Sequence, residues 1–354
     1  MTSFCESHGP ALGGVIDGCP AGIPIDTEII DAWMKRRRPG QSQITTSRNE
    51  ADAVRFLSGI LNGVTTGAPI GFYIENTNTR SQDYAEISQA FRPSHADYTY
   101  YKKYGGHNDI RGGGRSSARE TATRIVAGAI AMQILKHLRP HLSIKAYTRS
   151  IGDVMVNRHY STLDLDAIDS NIVRCPDKDI AGQMEKLILT VKNNGDSIGG
   201  TVQCVISGCP VGVGEPVFDK VSARLASAMM SINAAKGFEI GMGFEGSRLR
   251  GSQTIDNWVE CSDDERGVRT STNRSGGIQG GISNGEDIVF NVAFKPVATL
   301  LRDVDTIDTT GRAVTLHAHG RHDPCVVPRA VPIVEAMAAM VILDQIMLDR
   351  ARKI

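Results

Sequence analysis

A pattern that occurs twice limits the architecture this chain can adopt. Residues 15–23 read VIDGCPAGI, and residues 205–213 read VISGCPVGV. A second pair follows in the same order. Gly59, Ile60, Gly63, Val64, Thr65, Gly67, Ile70 and Phe72 align with Gly277, Ile278, Gly281, Ile282, Ser283, Gly285, Ile288 and Phe290. Each copy offers an apolar run suited to a strand, a Gly/Pro turn, and then a glycine-punctuated hairpin. Each also ends in a stretch of small residues at helical spacing, over 121–135 in the first copy and 332–348 in the second. Alanine and glycine on both helices let their axes approach closely, which favours one intertwined unit over two separate domains. The expectation is a single α+β domain over 1–354, internally duplicated, with central helices sandwiched between antiparallel β-sheets. Its pseudo-repeats would span about 1–190 and 191–354. Chance recurrence of glycine turns is the plainer alternative. With 354 residues, 41% of them apolar, the chain can bury such a core.

Charge narrows the function classes. Lys+Arg and Asp+Glu are both 39, which argues against a nucleic-acid binder held by diffuse phosphate attraction. Seven cysteines with no C-x-x-C pair signal neither a disulfide framework nor a zinc site. The N-terminal residues lack the basic segment and apolar core of a signal peptide, and the apolar run at 330–348 carries Glu335 and Asp344. That run reads as a buried helix rather than a membrane span, and a reducing cytoplasm is the expected compartment.

Any anion chemistry must therefore be local, and residues 111–121, RGGGRSSARET, are where it would concentrate. Ser117 followed by Glu120 predicts a capping box that opens a helix. Glycines immediately upstream let a ligand approach exposed backbone N–H groups, with Arg115 and Arg119 beside it. No phosphate-loop or dinucleotide fingerprint accompanies the stretch. On this segment alone, a flexible turn whose arginines pair with surface acids stays an equal reading.

Other segments repeat the theme. His8 stands in a turn before Gly9, and Arg92 and His95 precede Asp97 in RPSHAD. Lys35, Arg36, Arg37 and Arg38 crowd a helix end, where a solvated terminus is the default reading. His317 and His319 alternate ahead of Arg321 and Asp323, but no further ligand stands at metal spacing, so no metal is expected.

Taken in order, ESHG at 6–9, RRRPG at 36–40, RPSHAD at 92–97, GGGRSSARET at 112–121, SINAAKG at 231–237, GGIQGG at 276–281 and GRHDPC at 320–325 resemble chorismate synthase. The resemblance spans nearly the whole chain. It implies anti-1,4-elimination of phosphate from 5-enolpyruvylshikimate-3-phosphate, giving chorismate for aromatic amino acid biosynthesis. It implies reduced FMN as cofactor, with NADPH as a possible indirect reductant or a separate flavin reductase as partner. A homotetramer in the cytoplasm, without nucleic acid or membrane, is also implied.

By the same resemblance His8 would be the acid near the leaving phosphate, His95 would sit by the flavin, and Asp323 would act as a base relay. Arg37, Arg92 and Arg119 would contact substrate. Arg115, Ser116, Ser117, Asn233, Ala234, Gly280, Lys295, Pro296, Val297, Ala298, Thr299 and Arg321 would hold the flavin. The chain departs from the family at Cys5, usually glycine, at Gln43, often arginine, and at Val297 and Ala298, often hydroxyl residues. The usual strand upstream of ESHG reads as missing, so the chain would be truncated at its start or begin further upstream. Two rival classes stay open: a protein that keeps flavin or phosphate without turnover, and a nucleic-acid module using Lys35 to Arg38.

Overall fold

The computed structural model describes residues 1–46, 50–78, 89–317 and 323–353. The first elements in chain order are β1 (Thr2–Cys5), β2 (Ala11–Ile16), α1 (Thr27–Arg37), β3 (Val54–Phe56), a hairpin of β4 (Ile60–Leu61) and β5 (Val64–Thr65), β6 (Ile70–Glu75), α2 (Asp97–Lys103) and α3 (Thr121–Leu138). Next come β7 (Ser143–Ile151), β8 (Val154–Met155), α4 (Lys178–Asn193), β9 (Gly200–Ser207), α5 (Val221–Met230), β10 (Ala235–Ile240), α6 (Gly243–Gly246) and α7 (Gly251–Thr254). The chain closes with β11 (Trp258–Glu260), β12 (Val268–Thr270), a hairpin of β13 (Ile278–Gln279) and β14 (Ile282–Ser283), β15 (Ile288–Phe294), β16 (Asp303–Ile307), β17 (Ala313–His317) and α8 (Val327–Arg352).

Two larger sheets, antiparallel throughout, carry the fold, in the orders β1-β2-β6-β3 and β10-β15-β9-β7-β8. The pairing order β1-β2-β6-β3 recurs as β7-β9-β15-β10. A join near residue 190 would cut through α4, whereas strand pairing puts β7 in the second set. The segment holding β8 and α4 lies between β7 and β9, so the spacing of the two GCP turns misjudges where the second set starts. The residues before Glu6 form β1, an edge strand paired with β2, so the strand expected to be missing is present.

Helices α3 and α8 lie between the sheets as expected. Helix α3 packs on β2 and on α8, and α8 packs in turn on β7 and β9. Close approach is enforced at one point: a Cβ built on Gly128 would lie 2.3 Å from Ala336 Cβ and 2.4 Å from its Cα. Backbone cannot yield to such a contact, so the two axes would have to separate. Gly128→Val is therefore expected to cost about 3 kcal/mol or more by overpacking. Thermal unfolding reads this directly; a melting temperature within a degree of wild type would refute the tight crossing.

Helix α8 runs five residues beyond the expected start and contains Pro332. Proline cannot donate to the carbonyl of Pro328 four residues back, and Arg174 Nη1 donates to that oxygen instead, at 2.6 Å. By length and composition α8 could cross a bilayer, yet 67% of its apolar window is buried inside the chain. Burial pushes the thiols of Cys5 and Cys175 up to about 11 and those of Cys209 and Cys325 up to about 12, so these thiols are held in the neutral form.

Candidate active site

The glycine-arginine stretch folds differently from a simple capped helix. Gly112, Gly113 and Gly114 all take positive φ, at 60°, 84° and 50°. A Cβ on Gly112 would stand 2.6 Å from both Cδ2 and Nε2 of His8, so glycine is required for the imidazole to pack against this turn. Ser117 is extended and caps only a short turn, accepting from the Arg119 N–H at 3.3 Å. The expected capping box does not form, because the Glu120 carboxylate accepts from Arg124 Nε at 3.0 Å and from Ser3 Oγ at 3.0 Å. The extended Ser117 also breaks helical phase between Arg115 and Arg119. Arg115 Nη2 turns outward to Ser3 O at 2.9 Å, while Arg119 turns inward and is buried.

Arg119 enters a cleft of about 500 Å³. Arg37, Arg92, His95 and Asp323 reach it from three other segments, and Ser116, Ser117, Asn233 and Ala234 line its side. Lys295, Pro296, Val297, Ala298 and Thr299 close it. His8 stands behind the wall, buried against Gly112. Arg115 and Gly280 do not line the cleft of this chain; Gly280 sits in the turn between β13 and β14. Arg321 lies outside the described residues. Gln43 points elsewhere, its Nε2 donating to Glu185 at 2.9 Å.

Arg37 reaches the cleft because it continues the buried stripe of α1 after Ile30 and Met34. Its Nε donates to Thr121 Oγ1 at 3.2 Å, Nη1 to Asp52 at 3.4 Å and Nη2 to Ala118 O at 2.7 Å. Burial, reinforced by the nearby Arg329 cation, pushes its pKa down to about 9, which still leaves it charged at neutral pH. The solvated helix end expected at Lys35 to Arg38 is thus half wrong. Arg36 is also engaged, with Nη1 on buried Glu335 at 2.5 Å and Nε on Asp169 at 2.8 Å.

Asp52 serves two cations, since its other oxygen accepts from Arg119 Nη1. Arg119 Nε donates to Asn76 at 2.9 Å, and its buried Nη2 has no partner among the described residues. Arg92 grips Asp97 with Nε at 2.7 Å and Nη2 at 2.8 Å, and His95 Nδ1 meets the same carboxylate at 2.6 Å. Burial alone would raise the Asp97 pKa, but the hydrogen bonds from Arg92 and His95 hold it well below the usual carboxylate range. Asp323 accepts from Thr46 N–H at 2.9 Å and pairs with Arg329. Burial and the neighbouring Lys236 lower the Lys295 pKa.

Six cations, Arg37, Arg92, Arg119, Arg329, Lys236 and Lys295, thus line the cleft together with Asp323, while Asp52 and Asp97 pair with three of them without lining it. The surplus of positive charge suits a polyanionic ligand. Beside Arg119 Nη2, the buried Oδ1 of Asn233 is a second polar atom with no partner among the described residues. Sequence reasoning missed Lys236, Arg329, Asp52 and Asn76. Lys236 stood inside the SINAAKG motif and could have been found there. Asp52 and Asn76 belong to no motif, and only their long-range partners reveal them. A larger cavity of about 670 Å³ on the second sheet holds none of the expected residues; its Arg274 donates to Ile255 O and its Arg269 lies 3.8 Å from Glu286.

Comparison with known proteins points to one family. The family model described as chorismate synthase matches residues 1–347. The chain is 57% identical to the chorismate synthase of Christiangramia forsetii over 354 residues, covering 100% of this chain and 97% of that protein. It is 57% identical to that of Bacteroides fragilis over 350 residues, covering 99% and 96%. A crystal structure of chorismate synthase superposes with a TM-score of 0.76 at 29% identity, over 98% of this chain and 91% of the other.

Proposed function

The chain belongs to the chorismate synthase family, enzymes of the lyase class that act on a small-molecule substrate, and on that premise we propose that it eliminates phosphate from 5-enolpyruvylshikimate-3-phosphate to give chorismate, using reduced FMN. The observation that carries the reading is the buried cation cluster with Arg119 Nη2 still open to an acceptor. A substrate with two carboxylates and a phosphate supplies the negative charge that the cluster lacks. The open Oδ1 of Asn233 accepts hydrogen bonds, as a flavin ring N–H requires. The residues therefore fit a flavin: Ser116, Ser117, Asn233, Ala234 and the run from Lys295 to Thr299 would hold it. Bound in its reduced form, the flavin would lend an electron that assists loss of phosphate and would recover it as the C–H bond breaks.

The chain's own residues handle charge and protons. Arg119 and the two lysines orient the anion. His8, whose neighbours Ser7 and Gly112 line the cleft although its own ring does not, would protonate the departing phosphate as the C–O bond breaks. His95 is turned by Asp97 through Nδ1, which leaves Nε2 as the ring nitrogen for proton exchange in the cleft. Asp323 keeps lone pairs beyond those used by Thr46 and Arg329, and takes the proton released as the C–H bond breaks. The net reaction moves one proton and one phosphate and leaves no redox change. Arg115 and Gly280 lie off the cleft of their own chain, so they would meet the flavin only across a subunit contact. A homotetramer provides one, and it would also cover exposed Phe218, Phe244 and Trp258. We place the enzyme in the cytoplasm.

An anaerobic assay with chemically reduced FMN is expected to release phosphate and chorismate together, with neither formed on oxidised flavin. Flavin affinity without chorismate would favour a binding protein and overturn the reading. Asp323→Asn should keep flavin binding yet slow the reaction by about 10²-fold or more; an unchanged rate removes the relay. Comparing NADPH alone with reduced FMN tells whether a separate reductase is needed.

A further inference from the structure

We propose that Asp52 is the positioning residue of the anion site, holding Arg37 and Arg119 side by side so that one guanidinium nitrogen stays open to the ligand. The proposal rests on the cleft being the anion-binding site described above. Asp52 sits between α1 and β3, 2% exposed, at a φ of 53°. That left-handed conformation is uncommon outside glycine, although aspartate tolerates it better than most residues. Here it delivers one carboxylate to two buried cations, with Oδ1 on Arg119 Nη1 and Oδ2 on Arg37 Nη1.

The consequence is a division of labour between the two arginines. All three guanidinium nitrogens of Arg37 are occupied by protein, by Thr121, Asp52 and Ala118. Arg119 gives Nε to Asn76 and Nη1 to Asp52, so Nη2 is the nitrogen left for a ligand. Asn76 also donates to Glu6 O at 3.3 Å and Gly9 O at 2.9 Å, which ties the turn carrying His8 to the same guanidinium. Asp52 thereby determines which nitrogen of Arg119, a residue that lines the cleft, is left without a protein partner. Two guanidiniums against one carboxylate leave a positive charge for the ligand to neutralise. Arg37, expected to touch substrate, acts instead by supporting this pair.

The test is Asp52→Asn in the full chain, because asparagine keeps the shape, loses the charge and puts a donor NH2 in place of one of the two oxygens that the arginines use. Three quantities are measured: inorganic phosphate affinity by calorimetry without flavin, kcat and KM with reduced FMN, and thermal melting. Phosphate is expected to bind about three- to tenfold more tightly, since one competing anion is gone. In the same variant kcat should fall about 10–100-fold, as Nη2 is no longer aimed. A purely structural role would instead lower melting, affinity and kcat together, and that result overturns the proposal, as does a kcat within twofold of wild type.

Should Asp52→Asn not fold, Asp52→Glu decides. It keeps the charge but displaces it, so phosphate affinity should stay within about threefold while kcat drops about tenfold; wild-type kcat would overturn the idea. If the wild-type chain binds phosphate but releases none from the substrate, the functional reading fails. The Asp52 proposal is then decided by affinity alone, with unchanged phosphate binding in Asp52→Asn counting against it.

Discussion

His95→Ala is expected to lower turnover by about 10²–10⁴-fold, the range for loss of a proton-transfer group. The ring is held through Nδ1, which lies 2.6 Å from Asp97 and 3.1 Å from Arg92 Nη2, and Asp97 is itself locked by the two-point grip of Arg92. Because Asp97 stays anionic well below neutral pH, the imidazole orientation is kept across the working range. The Arg92–Asp97 pair does not need the ring to persist, so melting should change little. Loss of rate with retained stability is thus the signature, and added imidazole should restore part of the activity. Phosphate release at the wild-type rate would remove His95 from the mechanism. His8→Ala should lower turnover to a similar extent, with an added stability cost because His8 is buried against Gly112.

Arg119→Ala should damage both folding and binding. Asp52 would keep only Arg37, at 3.4 Å, inside a wall that excludes water. Removing one partner of a buried ion pair typically costs about 3–5 kcal/mol, because the other charge is left uncompensated. Loss of a charge-assisted hydrogen bond from Nη2 adds about 1.5–3 kcal/mol on the ligand side, roughly a 10–100-fold rise in KM. Arg119→Lys keeps the charge but cannot serve Asn76, Asp52 and a ligand together, so it should recover stability more than affinity. Urea unfolding and substrate titration separate the two effects. If Arg119→Ala matches wild type in both, the cation cluster is not the binding site.

Much of this architecture was legible in advance. Helices α3 and α8 fell where small residues recur, and the space at Gly128 explains why small residues were needed. The stripe Ile30, Met34, Arg37 could have been read as placing Arg37 inward, yet the charge run around it suggested a solvated end. Arg115 and Arg119, four apart, would share a face in an unbroken helix. Extended Ser117 separates them, and neither composition nor spacing announces that kink.

Local pattern by itself determined where most strands, turns and helices fall, and the basic and histidine residues available for chemistry. These depend on periodicity and on neighbours within a few positions, which a linear chain records. Tertiary structure alone decided that Asp52 bridges Arg37 and Arg119, that Arg36 meets Glu335 across 299 positions, and that Nη2 of Arg119 stays open. Such pairings are set by which distant segments the sheets and helices bring together, and by burial that makes each charge seek a partner.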